Sequence, residues 1–217
     1  MYIEKERKFL VYGECLDMEN LLQDISTMKY VVQGYFRVAD ANQVRVSVTD
    51  NIKGRINIKG ARRYYSRPEF DYTIPVEDAR KMVRFCGDQT ITKIRIHLKS
   101  TKRLVVDVYG DKNYGLIIAE AEFDPNSKSR YIPKRKWLKE DVTSIDRFYN
   151  KELVKRPFSK WTDPLEKVIL PTNTDDFTEK LKRKLATRFV YINTAVSSIV
   201  FENYRQKKTQ IPEWEVL

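Results

Sequence analysis

The sequence predicts an α+β protein in which helices surround an antiparallel sheet of about eight strands. Residues 2–124 consist mostly of short segments rich in Val, Ile, Tyr and Phe, separated by turn signals such as "TDN" and "YGDKNYG". Within nearly every segment apolar and charged residues alternate, which is the period of a half-buried strand. Because open sheet edges are a liability, about eight such strands tend to curl or close. We therefore expect a barrel with helices packed against it.

The expected strands follow one another closely along the chain. They span residues 2–12, 29–38, 42–50, 52–60, 67–74, 91–99, 103–109 and 115–123. Residues 14–27 are interpreted as a short helix or loop. "IPVEDARKMVRFCG" predicts a helix over 75–86, with Pro75 near its start and Gly87 at its end. "VTSIDRFYNKELV" predicts a further helix, over 144–154.

The composition changes after Pro157. "SKWTDPLEKVILPTNTDD" is typical of a connector, and a long amphipathic helix is expected over 177–208, capped by residues 174–176. Its basic residues are interpreted as a solvated face, with a nucleic-acid patch as the alternative. The chain thus divides into a domain of residues 1–158 and a C-terminal helical extension of residues 159–217, which we expect to pack on the barrel.

The charge balance indicates an anionic partner. The formal net charge of +11 and the sequence pI of about 9.5 suit nucleic acid, a nucleotide, polyphosphate or an anionic membrane, without selecting among them. Cys15 and Cys86 form no CxxC pair and are expected to be reduced. The N-terminus opens with charged residues rather than a signal sequence, and "FVYINTAVSSIVF" is too short for a membrane span. These features predict a soluble cytoplasmic protein without a membrane partner.

The charged residues within the strands are sorted by sign. Some strands carry only acids and others only bases, whereas a solvated sheet favours mixed polar residues along each strand. The acid-only strands carry Glu69, Asp71, Asp107, Glu120 and Glu122, and the base-only strands carry Arg45, Lys59, Lys93 and Arg95. A closed barrel allows these charges to point either outward or inward. We favour the inward arrangement, because the amphipathic helices need an apolar surface to pack against.

A barrel interior that is lined by both signs of charge favours a particular chemistry. Clustered carboxylates form a hard oxygen site for Mg²⁺ or Mn²⁺. Lys and Arg around the same cavity suit phosphate oxygens. Together they predict a metal–polyphosphate site that carries out phosphoryl transfer by positioning and charge neutralisation.

The first strand adds a motif to this pattern. "EKERKFLV" contains E-x-E-x-K, formed by Glu4, Glu6 and Lys8, and resembles the start of the CYTH domain of the triphosphate tunnel metalloenzyme superfamily. The resemblance continues in order through "QVRVSV", "INIKG", "EFDYTIP", "TKIRIHL", "LVVDVYG" and "LIIAEAEF", and covers roughly residues 1–158. E-x-E-x-K alone is a weak pattern, whereas a whole series of strands in the right order is specific. The resemblance implies an eight-stranded antiparallel closed β-barrel, or tunnel, whose charged interior binds triphosphates with a divalent metal.

The resemblance also implies roles for individual residues. The metal ligands would be Glu4, Glu6, Asp107, Glu120 and Glu122. The triphosphate would be bound by Lys8, Arg45, Lys59, Lys93 and Arg95, with Arg147 as a further candidate. The catalytic residues would be Glu4, Glu6, Lys8 and Glu69. Three positions depart from the family pattern. Ser47 stands where a second Arg is common, Ile145 stands where the later helix usually has Asp, and Asp71 replaces the commoner Glu.

The resulting hypothesis is a metal-dependent triphosphatase, with Mg²⁺ or Mn²⁺ as cofactor, that hydrolyses the terminal phosphate of tripolyphosphate or of a nucleoside or organic triphosphate. The form "ERKFLV" is most similar to bacterial inorganic triphosphatases. The alternatives are a class IV-type adenylyl cyclase and a non-catalytic protein that binds triphosphates or RNA ends. His97 is expected near the tunnel mouth without a catalytic role. The chain is expected to act as a monomer or homodimer.

Overall fold

The strands of this protein form one antiparallel sheet. The computed structural model describes residues 2–3, 5–12, 15–38, 42–61, 68–123, 132 and 134–161, with the backbone alone for residues 2, 3, 5 and 15–18. The strands are β1 (Tyr2–Ile3), β2 (Lys5–Val11), β3 (Ile25–Phe36), β4 (Gln43–Thr49), β5 (Lys53–Lys59), β6 (Pro68–Ile74), β7 (Thr90–Leu98), β8 (Leu104–Tyr109), β9 (Ile117–Phe123) and β10 (Leu138–Asp141). The ten strands lie in the order β1-β6-β5-β4-β3-β7-β8-β9-β2-β10.

The sequence predicts this sheet closely, with three differences. The predicted strand 2–12 is divided into β1 and β2, and β3 begins at Ile25, four residues before the predicted start at 29. β10 is missing from the prediction because its sequence, "LKED", has no apolar alternation. The described strand order has two ends, β1 and β10, so the closed barrel stays a prediction.

The helices are short in the described part of the chain. They are α1 (Cys15–Gln23), α2 (Val76–Phe85) and α3 (Asn150–Lys155), and the 3₁₀ turns are Asp111–Asn113, Asp146–Phe148 and Phe158–Lys160. α2 confirms the helix predicted over 75–86. None of the described helices has the length and apolar content needed to cross a membrane. The helix predicted over 177–208 lies outside the described residues.

The prediction of one helix over 144–154 is wrong. Ile145 and Tyr149 both have extended backbones, which separate the 3₁₀ turn at Asp146–Phe148 from α3. The Tyr149 hydroxyl donates to the Thr143 carbonyl at 2.7 Å and stabilises the turn between them. Phe148 lies before the extended Tyr149 and Leu153 lies after it, and both are buried. The apolar residues of this segment therefore do not form one helical stripe.

The tight connection between β4 and β5 confirms a turn that the sequence signals. Asp50 and Asn51 have φ of 50° and 59°, and the Ile52 N–H donates to the Thr49 carbonyl at 3.1 Å, so these two residues form the centre of a tight turn within the three-residue connection between Thr49 and Lys53. Asp and Asn tolerate this left-handed region better than most other residues. The "TDN" signal therefore sets the register in which Ser47 lies opposite Arg55.

The apolar core lies on one face of β2, β7, β8 and β9. It contains Phe9, Val11, Ile94, Ile96, Leu98, Leu104, Val106, Val108, Ile117, Ala119, Ala121 and Phe123. Leu21 and Leu22 of α1 pack into the same cluster, together with Ile25 and Met28 of β3. Burial of one such aliphatic side chain is worth about 1.5–3 kcal/mol, so this layer holds the sheet against α1.

A second apolar cluster joins α2 to the middle of the sheet. Ala79 and Cys86 pack with Val46 and Val48 of β4. The outer face of β6 differs, because Phe70 and Tyr72 are 50% and 55% exposed. The expectation that helices cover the apolar faces is therefore confirmed for the strands under α1 and α2, whereas β6 is uncovered in the part of the chain that the structure describes.

Candidate active site

Alternation along β2, β7, β8 and β9 places charged side chains on the face opposite the apolar core. We call this set the charged cluster: Glu6, Lys8, Lys93, Arg95, Asp107 and Glu120. The strand registers bring Lys8 opposite Glu120 and Arg95 opposite Asp107. Lys8, Lys93 and Asp107 are only 3%, 1% and 0% exposed. Charges so deeply buried are tolerated only when they are paired, so their partners define the site.

Asp107 lies at the centre of one half of the charged cluster. Its Oδ2 accepts a hydrogen bond from Lys93 Nζ at 2.5 Å and from Arg95 Nη2 at 2.7 Å. Its Oδ1 accepts from Arg95 Nε at 2.8 Å. The Arg95–Asp107 pair is thus bidentate, which fixes the plane of the guanidinium as well as its position.

Glu120 links this half of the cluster to the E-x-E-x-K strand. Its Oε2 accepts from Arg95 Nη2 at 2.6 Å, and its Oε1 accepts from Lys8 Nζ. Lys8 Nζ also lies 3.7 Å from Glu6 Oε1 and 5.0 Å from the centroid of the Tyr149 ring. Three cations and three carboxylates therefore form one continuous network.

Opposing effects set the protonation of this network. Burial favours the neutral forms, but Lys8, Lys93 and Arg95 hold the pKa of Glu120 well below its usual range, and Arg95 and Lys93 lower that of Asp107. Burial is likewise opposed at Lys8, where Glu120 and Glu6 raise the pKa. At Lys93 burial dominates over Asp107 and lowers the pKa to about 8. The two carboxylates are therefore ionised at neutral pH, and Lys93 is the cation that loses its proton first.

A second group of polar side chains lies on β5 and β6. Lys59 Nζ is 3.4 Å from Glu69 Oε1, and Asn57 Nδ2 donates to the same oxygen at 2.5 Å. Arg55 pairs with Asp71 at 2.7 Å in a more exposed position. Within the described residues, Asn57 Oδ1 is buried without a hydrogen-bond partner. This group therefore keeps an unused acceptor in its interior.

Arg45 of β4 lies between the two groups, opposite Tyr35 of β3 and Asn57 of β5. The pKa of Tyr35 is raised by burial, lowered by Arg45 and raised again by Glu120, so both charges act on one hydroxyl. Among the described residues, Arg45 Nε is buried and makes no hydrogen bond. A buried guanidinium N–H with no acceptor is a donor that a phosphate oxygen can satisfy.

One end of the charged face is closed by apolar side chains. Leu10, Tyr35, Ile91, Tyr109 and Ile118 lie on the same strand faces as the charged cluster but pack against Val142, Phe148, Leu153, Phe158 and Trp161. Trp161 meets the rings of Phe148 and Phe158 edge-to-face, at centroid distances of 5.3 and 4.9 Å. The segment after β10 therefore covers this end and separates the charges from water on that side.

A polar network at the covered end went unnoticed in the sequence. Tyr35 OH and Asn150 Nδ2 donate to Gln33 Oε1 at 3.1 and 3.3 Å, and Tyr109 OH donates to Asn150 Oδ1 at 2.6 Å. These residues are uncharged, so a pattern of sorted charges does not include them. Gln33 and Tyr35 lie two residues apart on one strand, and this spacing is the feature of the sequence that indicates a shared face.

Comparisons with known proteins identify the family. No protein-family model matches the chain. A curated relative, the inorganic triphosphatase of Acetivibrio thermocellus, is 32% identical over 164 residues, which are 74% of this chain and 98% of the relative. This chain belongs to the CYTH, or triphosphate tunnel, superfamily.

Two solved structures are similar to parts of this chain. The crystal structure of an inorganic triphosphatase has a TM-score of 0.48 and 22% identity, over 71% of this chain and 95% of that chain. A putative adenylyl cyclase from Hippeastrum, described as having a dominant triphosphatase activity, has a TM-score of 0.42 and 12% identity, over 55% of this chain and 79% of that one.

The site residues that the superfamily resemblance predicts lie at different places in this structure. The charged cluster brings together Glu6, Lys8, Lys93, Arg95, Asp107 and Glu120, and the strand pair β5–β6 brings together Lys59 and Glu69. Glu122 is exposed and lies opposite Glu6 in the β2–β9 ladder. Arg147 lies in the 3₁₀ turn after β10, with its guanidinium carbon 4.8 Å from the Trp161 ring centroid. Glu4 is outside the described residues.

The acids of β2 and β9 have the oxygen ligands that a divalent metal prefers, although only part of a ligand set is assembled. Among the described residues, no three His, Cys, Asp or Glu side chains form a group that could hold a metal ion. Glu6 and Glu120 nevertheless approach one positive charge, the ammonium of Lys8. Carboxylate oxygens are the ligands that Mg²⁺ and Mn²⁺ prefer, so Glu6 and Glu120 have the chemistry for part of a ligand set.

Proposed function

We propose that this chain is a metal-dependent triphosphatase, with inorganic tripolyphosphate as the first candidate substrate. The charged cluster is the observation that carries the proposal, because Lys8, Lys93 and Arg95 are held beside carboxylates on one sheltered face. The relative from Acetivibrio thermocellus, named an inorganic triphosphatase, supports the same reaction. A triphosphate carries several negative charges on a narrow chain, which a row of fixed cations binds through charge-assisted hydrogen bonds.

The proposed site requires the sheet to close around the charged cluster. The N-terminal strands support closure, because β1 pairs with β6 while β2 pairs with β9 and β10, and only residue 4 separates β1 from β2. The strand at one end of the sheet and the strand one place from its other end thus come from consecutive stretches of the chain. In a closed sheet, the groups on β5–β6 and on β7–β9 would face a common interior.

The basic residues would bind the substrate. Lys93 and Arg95 on β7 and Lys8 on β2 supply adjacent donors, and Lys59 and Arg45 supply donors from β5 and β4. Arg147 is a further candidate. Cations that are already fixed by carboxylates need no reorganisation when charge moves to the leaving pyrophosphate, and this preorganisation favours the transition state.

Mg²⁺ or Mn²⁺ is the proposed cofactor, with Glu4, Glu6, Glu120 and Glu122 as its ligands. When bound, such an ion neutralises phosphate charge and makes water a better nucleophile at neutral pH. Glu6 and Glu69 are the candidates for the group that accepts the proton from the attacking water. The covered end of the charged face excludes solvent on one side, so the attacking water would enter from the other.

A substrate panel tests the reaction class. Purified protein is incubated with tripolyphosphate, ATP, GTP, thiamine triphosphate and 5′-triphosphate RNA, each with Mg²⁺ and with Mn²⁺. Release of one orthophosphate per tripolyphosphate is expected. Cyclic AMP and pyrophosphate as the products from ATP would instead identify a cyclase, and tight binding without phosphate release would identify a binding protein.

Cytoplasmic location and a monomeric or dimeric state remain predictions.

Two substitutions test the metal ligands. Glu4→Gln and Glu122→Gln should lower kcat at least about a hundredfold, because loss of the metal's charge stabilisation costs several kcal/mol in the transition state. Glu77→Gln is the matched control, since Glu77 lies on the exposed side of α2 and pairs only with Arg80 in the described structure. Full activity in Glu4→Gln and Glu122→Gln would show that the ligand assignment is wrong.

A further inference from the structure

We propose that Asp107 is a positioning residue, which holds Lys93 and Arg95 in the arrangement that binds the triphosphate, and that it is not a metal ligand. The inference rests on the proposed function and revises one member of the ligand set that the superfamily resemblance implies. The Asp107 carboxylate faces two cations, Lys93 and Arg95, and not an open ligand position.

The contacts of Asp107 leave little of its carboxylate for another ligand. A carboxylate has about four lone-pair positions. Three hydrogen bonds, one from Lys93 and two from Arg95, occupy both oxygens at 2.5–2.8 Å. A metal ion at either oxygen would have to displace one of these cations.

Asp107 is more deeply buried than Arg95, one of the two cations that it holds. The Arg95 side chain is 26% exposed, whereas the side chain of Asp107 is fully buried beneath it. A phosphate that approaches this face therefore meets Arg95 first and has Asp107 behind it. Glu120 differs, because it faces Lys8 and Arg95 at the junction between the two halves of the charged cluster.

The charge of this group also fits a positioning role. Lys93 and Arg95 carry two positive charges and Asp107 one negative charge, so Asp107 neutralises only half of the charge of the pair that it holds. Without Asp107, two adjacent cations would repel each other, and the Arg95 guanidinium would lose both bonds that fix its plane. The carboxylate therefore reduces the repulsion between the two cations, so that both can lie close together in a buried position.

Asp107→Asn gives opposite results under the two roles. We expect tripolyphosphate binding, measured calorimetrically in EDTA without any metal, to weaken about tenfold or more, because the amide cannot accept all three bonds and the two cations shift. A nearby charge with no positioning role would give the reverse, since its removal makes the site more positive. With metal present, KM should rise, while the free Mg²⁺ concentration for half-maximal rate at saturating substrate stays within about twofold of wild type.

Two further variants keep the test decisive. Glu122→Gln should show the opposite pattern, with metal-free binding retained and the Mg²⁺ requirement raised. In an Arg95→Gln background, Asp107→Asn should weaken metal-free binding much less than in the wild type, because the principal cation it positions is gone. This pair also removes one charge of each sign, so it covers the case in which Asp107→Asn alone fails to fold.

Unchanged or tighter metal-free binding in Asp107→Asn, together with a raised Mg²⁺ requirement, would overturn the inference and make Asp107 a metal ligand. The proposed hydrolysis fails separately, through absence of phosphate release by the wild type. A wild-type protein that binds tripolyphosphate without cleaving it still allows the Asp107 comparison in EDTA.

Discussion

Each buried cation of the charged cluster depends on particular carboxylates. Lys93 has Asp107, and Lys8 has Glu120 with Glu6 a little further away. Removal of one partner from a buried pair leaves an uncompensated charge and typically costs about 3–5 kcal/mol. The cluster is thus sensitive to single substitutions in a way that the exposed pair of Arg7 and Asp141 is not.

His97 carries a pH-dependent stability that can be measured directly. Burial, followed by the nearby charges of Lys29 and Arg95, lowers the pKa of His97 below its ordinary value of 6.5. The unfolded chain therefore takes up the proton at a higher pH than the folded protein does. The stabilising contribution is fully present above pH 6.5 and is lost as the pH falls through the lower folded-state pKa. Urea unfolding should give a smaller free energy at pH 5.5 than at pH 7.5.

His97→Gln provides the comparison that isolates this effect. His97 is the only histidine of the chain, so the substitution removes the group whose ordinary pKa lies in this pH window. The variant should lose less stability than the wild type between pH 7.5 and pH 5.5. An equal loss in the two proteins would show that other groups cause the pH dependence.

At the level of single residues, alternation predicts which charges share a face but not how they pair. The period of two places Lys93, Arg95 and Asp107 together. It cannot show that Asp107 accepts from both cations, because that depends on the registers of two ladders and on side-chain reach. Gln33 and Asn150 were missed for a different reason, since a hydrogen-bond network of neutral groups has no charge pattern to reveal it.

Among the elements, α2 depends on a close approach that only glycine permits. A Cβ at Gly34 of β3 would lie 2.7 Å from Cys86 Sγ and 3.0 Å from Cys86 Cβ, directly after α2. Gly34→Ala should therefore lower the free energy of unfolding by about 1–3 kcal/mol, because the end of the helix must move away from the strand. Urea denaturation measures this difference.

A double-mutant cycle with Cys86→Ala tests the cause of that loss. The pair Gly34→Ala and Cys86→Ala should recover part of the loss, since removal of Sγ relieves the closer of the two contacts. The recovery should be incomplete because the two Cβ atoms remain close. Strictly additive losses would mean that Gly34 is needed for a reason other than contact with Cys86.

Elements with a regular period were predictable, and those without one were not. α2 has a helical spacing and the strands alternate, so both follow from local sequence. β10 has no apolar alternation and forms because β2 offers it an edge, which is a tertiary cause. The segment 142–155 has a helix-like composition, but the burial of Phe148 and Leu153 on either side of an extended Tyr149 divides it. Packing at the covered end therefore outweighs the helix propensity of this segment.

At the scale of the whole molecule, closure of the sheet would depend on β1. It is two residues long, yet it is the strand that pairs with the free side of β6 in the described sheet. The next strand along the chain, β2, lies one place from the other end of the order, between β9 and β10. Sequence alternation predicts that residues 2–12 are extended. It cannot predict that the first part of this segment pairs with β6 and the second part with β9.

Removal of residues 1–3, with a new initiating Met before Glu4, tests closure. Loss of β1 leaves β6 paired with β5 alone, so hydrogen exchange should become faster in residues 68–74 and stay slow in residues 104–109 of β8, which lie between β7 and β9. Exchange is followed by mass spectrometry of peptides that cover both strands. Tripolyphosphate hydrolysis should fall as well, because the charged groups on β5–β6 and on β7–β9 would no longer face a common interior. The matched control replaces Tyr2 and Ile3 by Ala, which keeps the backbone pairing and should leave the exchange of β6 slow. Unchanged protection of β6 in the shortened protein would show that β1 does not close the sheet.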